Sequence, residues 1–165
     1  LANRIRLPLE IAELLAADLG AERVGIRLSP FGVANDSGET DPLSLYREMI
    51  RELNRMKLVY LHLIEPRASG AGQRDVDHQN VPFSCATFRA DWDQVLITAG
   101  NFTADSAAET VAKGDADAIA FGRYFISNPD LPQRIKRGQA FTPYDRPTFY
   151  GGGTVGYTDY PAFGL

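Results

Sequence analysis

The chain has 165 residues, 44% hydrophobic and 23% charged, which is the composition of one ordinary globular domain (residues 1–165) and excludes disorder as a whole. A net charge of -4 argues against a nucleic-acid or anionic-membrane surface, and no apolar run approaches the roughly 20 residues that cross a bilayer. The single cysteine, Cys85, excludes an internal disulfide and suits a reducing compartment. We therefore expect a cytoplasmic protein with a small-molecule partner.

Short apolar runs alternate with helical patterns along the chain. The predicted strands cover residues 24–28, 58–64, 94–98 and 118–121. The predicted helices cover residues 5–19, 43–56, 104–113 and 131–136, and glycine follows three of them closely. A helix followed by four strand–helix units predicts an α/β fold with a parallel sheet and right-handed crossovers.

The first two strands predict a sheet with two different faces. Aliphatic side chains share one face, namely Val24, Ile26, Leu28, Val59, Leu61 and Leu63. Arg27, Tyr60 and His62 lie on the other, polar face. Such a sheet is typical of a barrel wall, and four units make half of a TIM (β/α)8 barrel. Its two unpaired edges predict completion by another chain, dimerisation or an altered topology.

The connections after the strands carry the unusual residues. The second, from residue 67 to 93, is long enough to predict a mobile lid. It contains Asp75, Asp77 and His78, which are more typical of a solvated polar loop than of a metal site, so we predict no metal. Residues 138–165 have neither helical nor strand period and predict an irregular tail.

The turn after the fourth strand is the strongest candidate for ligand binding. Gly122 lets the backbone approach a ligand closely, and Arg123 offers a planar set of donors that matches phosphate oxygens. This pattern predicts a phosphate site. A packing glycine beside a surface charge is the alternative.

Several motifs together resemble the carboxyl-terminal half of the Old Yellow Enzyme family, the FMN-dependent NADPH dehydrogenases or ene-reductases. They are Asn3-Arg4 and residues 24–30, 62–67, 99–102, 121–131, 144–150 and 151–161. That family folds as an eight-stranded barrel that holds FMN. The resemblance implies hydride transfer from NADPH or NADH through FMN to an alkene conjugated to a carbonyl or nitro group, such as an enone.

The resemblance also implies specific site residues. Arg27 would contact the pyrimidine end of FMN. Two turns would contact its phosphate, one formed by Gly100 and Asn101 and the other by Gly122 and Arg123. Tyr150 would lie near the mouth of the substrate pocket.

The residues that grip the substrate in this family lie upstream of the matching segment. The His/Asn or His/His pair and the proton-donating tyrosine therefore have no counterpart here, and we predict no catalytic residue in this chain. His62 lies within the second predicted strand, so we predict that it is a hydrogen-bonded interior histidine. We expect the chain to be inactive without the missing half-barrel or a second copy of itself.

Two alternatives stay open at this stage. One is a non-catalytic half-barrel that binds a phosphate ligand or assembles into a barrel-like dimer. The other is a fragment with no independent biology.

Overall fold

The computed structural model describes residues 1–32, 38–66, 81–150 and 152–163. These residues form two compact units, one ending at Ala120 and the other beginning at Phe121. The first unit contains α1 (Ala2–Leu19), β1 (Gly25–Leu28), α2 (Pro42–Arg55), β2 (Tyr60–Ile64), α3 (Ser84–Phe88), β3 (Val95–Ala99), α4 (Ala104–Ala112) and β4 (Ala118–Ala120). The second contains α5 (Arg123–Ser127) and α6 (Leu131–Lys136). The assignment of residues 1–165 to a single domain stays a prediction.

The four strands form one parallel sheet in the order β1-β2-β3-β4. Each connection between neighbouring strands contains a helix, as a parallel sheet requires. In the register of the sheet, Arg27 lies opposite His62, and His62 lies opposite Ile97. The predicted α/β half-barrel sheet is confirmed.

One face of the sheet is buried beneath the helices. Leu61, Leu63 and Leu96 are fully inaccessible there and form the core with residues of α2, including Ile50 and Leu53. At about 25 cal/mol per Å² of apolar surface, this burial is the main stabilisation of the first unit.

The other face, which we call the open sheet face, carries Gly25, Arg27, Tyr60, His62, Val95 and Ile97. Tyr60 is 37% exposed and Val95 is 47% exposed, so this face is more apolar than predicted. The assignment of Val59 to the buried face is wrong. It precedes the first residue of β2 and is 37% exposed, because the period of two begins only with the strand.

The prediction of a lid through residue 93 is wrong for the part of it that the structure describes. Residues 84–88 form α3, and a 3-10 turn follows at Arg89–Asp91. Cys85 and Phe88 are buried in the core, which fixes this segment. A helix of five residues is too short for a helical period to appear in the sequence. The remainder, with Asp75, Asp77 and His78, lies outside the described residues.

In the second unit, the tail runs mostly without regular structure, with a 3-10 turn at Arg146–Thr148. Side chains of α6 and of the residue after α5 hold it in place. Asn128 Nδ2 donates to the Thr142 carbonyl oxygen at 3.1 Å, and the Thr142 amide donates back to Asn128 Oδ1 at 2.8 Å. Arg134 donates to Thr142 Oγ1 at 2.9 Å.

Candidate functional site

Arg27 extends from β1 on the open sheet face and is exposed. Within the described ranges, its guanidinium has neither a hydrogen-bond nor an ion-pair partner, whereas Arg47 and Arg51 of α2 both pair with Asp91. A cation that no carboxylate neutralises is available to an anionic ligand.

His62 lies beside Arg27 in the register of the sheet and is half-buried. Its Nε2 atom is buried and has no hydrogen-bond partner among the described residues, so the prediction of a hydrogen-bonded interior histidine is wrong for this atom. Burial lowers the pKa of His62 below 6.5, and the positive charge of Arg27 lowers it further. The imidazole is therefore neutral at pH 7.

The turn of Gly100 and Asn101 follows β3 directly. Gly100 has φ 142°, which glycine alone adopts readily, and Asn101 has φ 53°, in the left-handed region that asparagine tolerates. The Thr103–Ser106 capping box then begins α4, with the Ser106 amide donating to Thr103 Oγ1 at 3.1 Å. The turn is thus tightly bounded by the end of β3 and a capped helix.

Gly122 and Arg123 belong to the second unit. Gly122 has φ -94°, which any residue adopts, and a Cβ atom built there would meet no atom within 4 Å. Neither backbone strain nor packing among the described residues explains this glycine, and open space beside the backbone is what a ligand contact needs. Arg123 Nη1 donates to the Tyr144 hydroxyl at 3.0 Å, and its guanidinium lies 5.3 Å from the centre of that ring.

Tyr150 is 72% exposed, and its ring packs edge-on against Phe149 at a centroid distance of 6.4 Å. Phe149 is buried and continues an aromatic series through Tyr144 to Tyr124. The backbone position of Tyr150 is therefore set by packing, while its own ring stays accessible. A role at a substrate mouth stays a prediction.

The first unit contains two of the predicted flavin contacts, Arg27 and the Gly100–Asn101 turn, at the same sheet. Arg27 is in register, through His62, with Ile97, and Gly100 lies three residues beyond Ile97, about 10 Å at the usual rise of a strand. Gly122, Arg123 and Tyr150 are placed in the second unit. The roles of the six predicted site residues stay predictions, namely Arg27, Gly100, Asn101, Gly122, Arg123 and Tyr150.

Sequence reasoning assigns no role to Glu65, which the structure buries completely just after β2. Its carboxylate accepts hydrogen bonds from the backbone amides of Ser84 and Cys85 and from the Thr98 hydroxyl. Burial, followed by the charge of Glu65, raises the pKa of the Cys85 thiol to about 12, so this cysteine is an inert thiol. The available signal was an acidic residue that directly continues an apolar strand.

Among the described residues, no helix is both long and apolar enough to cross a membrane. The same ranges contain no group of three side chains able to hold a metal ion. Asp75, Asp77 and His78 fall outside them.

Comparison with known proteins identifies the relatives of this chain. The sequence model of the NADH:flavin oxidoreductase / NADH oxidase family matches residues 1–141. The chain is 41% identical over 164 residues to 12-oxophytodienoate reductase 2 of Arabidopsis thaliana and, equally, to 12-oxophytodienoate reductase 1 of Oryza sativa subsp. japonica. Each alignment covers 98% of this chain and 42% of the relative.

Solved structures give the same result for the fold. Morphinone reductase, solved in complex with tetrahydroNAD, superposes with a TM-score of 0.83 at 41% identity, covering 97% of this chain and 41% of that one. The old yellow enzyme from Trypanosoma cruzi gives a TM-score of 0.87 at 27% identity, covering 97% and 40%. The fold is therefore that of about 40% of an Old Yellow Enzyme barrel, consistent with a half-barrel.

The cofactor class predicted from the sequence is confirmed at the level of the family, whose members use FMN and a reduced nicotinamide. The chain spans about 42% of the length of the curated relatives it matches. Because the family model covers most of its residues and the solved relatives share its fold, the chain belongs to the NADH:flavin oxidoreductase / NADH oxidase family, within its Old Yellow Enzyme branch.

Proposed function

We propose that this chain supplies part of the FMN site of an ene-reductase that uses NADPH or NADH to reduce an enone-type alkene. The observation that carries the proposal is the position of Arg27, an arginine with no partner among the described residues on the open sheet face of a flavin-oxidoreductase fold. When bound, FMN carries hydride from the nicotinamide to the alkene.

Arg27 would hold the pyrimidine end of the flavin. A fixed cation there stabilises the negative charge of the reduced ring, and it does so most strongly when no protein carboxylate competes for it. The neutral His62 beside it adds no second positive charge at pH 7, so Arg27 is the charged group of this part of the sheet.

Each of the two turns is proposed as a phosphate contact on its own geometry. At Gly100 and Asn101, two successive positive φ angles form a tight turn at the carboxyl end of β3, where parallel sheets bind ligands. At Gly122, the open space beside the backbone admits a ligand oxygen, and Arg123 is the neighbouring charged donor.

We propose further that the chain does not turn over alone and that an amino-terminal half-barrel completes it. The apolar side chains of α1 support this. Leu7, Ile11 and Leu14 follow a spacing of four and three residues along one helix face and are 64%, 49% and 71% exposed. A helix face of this kind, in a unit whose strand β1 has no further strand partner among the described residues, is typical of an interface.

The first experiment measures flavin binding by the chain itself. We expect FMN fluorescence to be quenched on binding and expect Arg27→Met to weaken FMN affinity about tenfold, because it removes a charge-assisted contact. Arg23→Met is the matched control, since Arg23 is an exposed arginine of the same segment whose ion-pair contact is with Glu22. Equal losses in both variants, or no binding by the unmodified chain, would contradict the assignment.

The second experiment tests completion. NADPH-dependent reduction of cyclohexenone should be absent with this chain and FMN, and should appear when the amino-terminal half of a relative is added. Leu14→Glu should reduce that recovery by placing a charge in the apolar interface. Robust turnover by the chain alone would overturn the proposal, and a stable dimer that Leu14→Glu dissociates would favour self-assembly through the same helix face instead.

A further inference from the structure

We propose that Glu65 is a positioning residue that fixes the Gly100–Asn101 turn and thereby the phosphate contact of the flavin site. The inference rests on the proposed function, because it assigns a supporting residue to one of the proposed phosphate turns. Glu65 acts through the residues that lead into the turn, since its side chain bonds Thr98 and its backbone amide bonds Ala99.

The carboxylate of Glu65 is fully buried and is held by three donors. The Ser84 amide donates to Oε2 at 2.6 Å, the Cys85 amide donates to Oε1 at 3.0 Å, and the Thr98 hydroxyl donates to Oε1 at 2.6 Å. Burying a carboxylate is very costly unless such donors replace its water. An apolar side chain here would leave these three donors without their acceptor, so the carboxylate supplies directional contacts that a leucine cannot.

Those contacts hold the end of β3, which leads directly into the turn. Thr98 and Ala99 are the last two residues of β3, and Gly100 is the next residue. The side chain of Glu65 bonds Thr98, while its backbone amide donates to the Ala99 carbonyl oxygen at 2.8 Å. Glu65 therefore holds both residues that precede the left-handed turn.

The far side of the turn is fixed independently. Phe102 is 5% exposed, and the Thr103 amide donates to Ser106 Oγ at 2.9 Å as part of the capping box of α4. With both ends held, Gly100 and Asn101 have little freedom, which is the condition for a backbone contact to a phosphate to be in place before the ligand arrives.

Glu65→Gln tests the inference at nearly constant volume. The amide group of glutamine must face the N–H of either Ser84 or Cys85, which leaves two donors opposed. The repulsion should move the side chain that also bonds Thr98 at the end of β3. Asp91→Asn is the matched control. Asp91 is also a buried carboxylate and accepts from Arg47 and Arg51 of α2 at 3.0 and 2.8 Å, but it contacts no residue of β3 among those hydrogen bonds.

The measured quantity is the ratio of FMN to riboflavin affinity, because the two ligands differ only in the phosphate. We expect Glu65→Gln to lower this ratio about tenfold while riboflavin affinity stays constant, and expect Asp91→Asn to leave the ratio unchanged even where it lowers stability. A ratio unchanged in Glu65→Gln would overturn the inference. An unmodified chain that binds both ligands equally would overturn the phosphate turn itself.

Amide NMR spectra of the ligand-free chain provide a second readout. Glu65→Gln should shift the resonances of Gly100 and Asn101, whereas a purely local role would confine the shifts to Ser84 and Cys85 and would contradict the inference. If Glu65→Gln does not fold, Thr98→Val removes only the hydroxyl donor. It should shift the same turn resonances to a smaller extent, and their constancy would count against Glu65.

Discussion

The interior of each of the two units is stabilised by a different kind of contact. In the first, the fully buried side chains are mainly apolar, with Trp92, Phe88 and Leu61 at 0–1% exposure, and they fill the space between a parallel sheet and its helices. In the second, Asn128 and Arg134 are almost fully buried and hydrogen-bonded to the backbone of an irregular tail. Apolar contacts favour burial without direction, whereas a buried polar network also selects one backbone path.

The network around Arg134 shows how a segment without regular structure is fixed. Arg134 Nε donates to Asp130 at 2.8 Å, and its other nitrogens reach the carbonyl oxygens of Ala140 and Pro161 at 3.4 and 3.3 Å. The amide of Phe163 donates to Asp130 at 2.9 Å, and the Phe163 ring lies 5.6 Å from the guanidinium. One buried cation thereby joins α6 to both ends of the tail.

The largest expected effect is in the apolar unit. Leu61→Ala removes a fully buried side chain from a central strand and should lower the free energy of unfolding by about 2–5 kcal/mol, since it loses transfer energy and leaves a cavity. Urea unfolding followed by far-UV circular dichroism measures this change. Leu14→Ala on α1 is the control, with 71% of the side chain exposed, and should change stability by less than about 0.5 kcal/mol.

A smaller and more local effect is expected in the polar unit. Arg134→Met keeps most of the side-chain volume but removes the charge, which leaves Asp130 Oδ1 and the carbonyl oxygens of Ala140 and Pro161 without this donor. We expect a loss of about 2–3 kcal/mol, confined to the second unit. Hydrogen exchange should accelerate at Thr142 and Phe163, while the amides of β2 keep their protection.

Arg137→Met is the matched control for that experiment, because Arg137 is an exposed arginine at the end of the same helix. It should leave exchange at Thr142 unchanged. If Arg134→Met instead accelerated exchange equally in both units, the contrast between an apolar and a polar unit would be wrong, and the chain would unfold as one cooperative body.

The sequence predicts the apolar unit well because its signals are local. The period of two that separates Arg27 from its aliphatic neighbours matches the observed faces of β1, and the helix predicted to stop before Gly114 does so, with that glycine at φ 77°. The helices α3 and α5 were missed since five residues do not establish a period.

The polar contacts could not be predicted in the same way. Glu65 meets Ser84 and Thr98, which are 19 and 33 residues away in the chain, and no pattern within one element indicates such pairs. Arg134 likewise stands close to Lys136 and Arg137 in the sequence and looks like one more surface charge, since its partners lie in a tail that has no period. Of the candidate site, the sequence therefore indicates residues that follow strands, and misses those that hold them in place.

The smallest expected effect concerns the open sheet face, where the apolar unit carries its own polar pair. Burial holds the pKa of His62 below 6.5, with Arg27 as the lesser cause, so the unfolded chain binds a proton that the folded chain resists. The stability that the neutral His62 contributes should therefore be fully present above pH 6.5 and should be lost as the pH falls through the pKa of His62 in the folded chain. Arg27→Met should raise the pKa of His62 only part of the way back, because burial remains.

An NMR titration of the His62 imidazole resonance against pH measures the change in its pKa. The resonance is assigned by its disappearance from the spectrum of His62→Gln. His62→Gln should also flatten the loss of urea resistance between pH 7 and pH 5, because the group that gains a proton on unfolding is gone. A His62 pKa that does not move in Arg27→Met would show that the two side chains are electrostatically independent. Arg27 would then be a solvated surface charge, and the open sheet face would have no fixed cation for binding an anionic flavin.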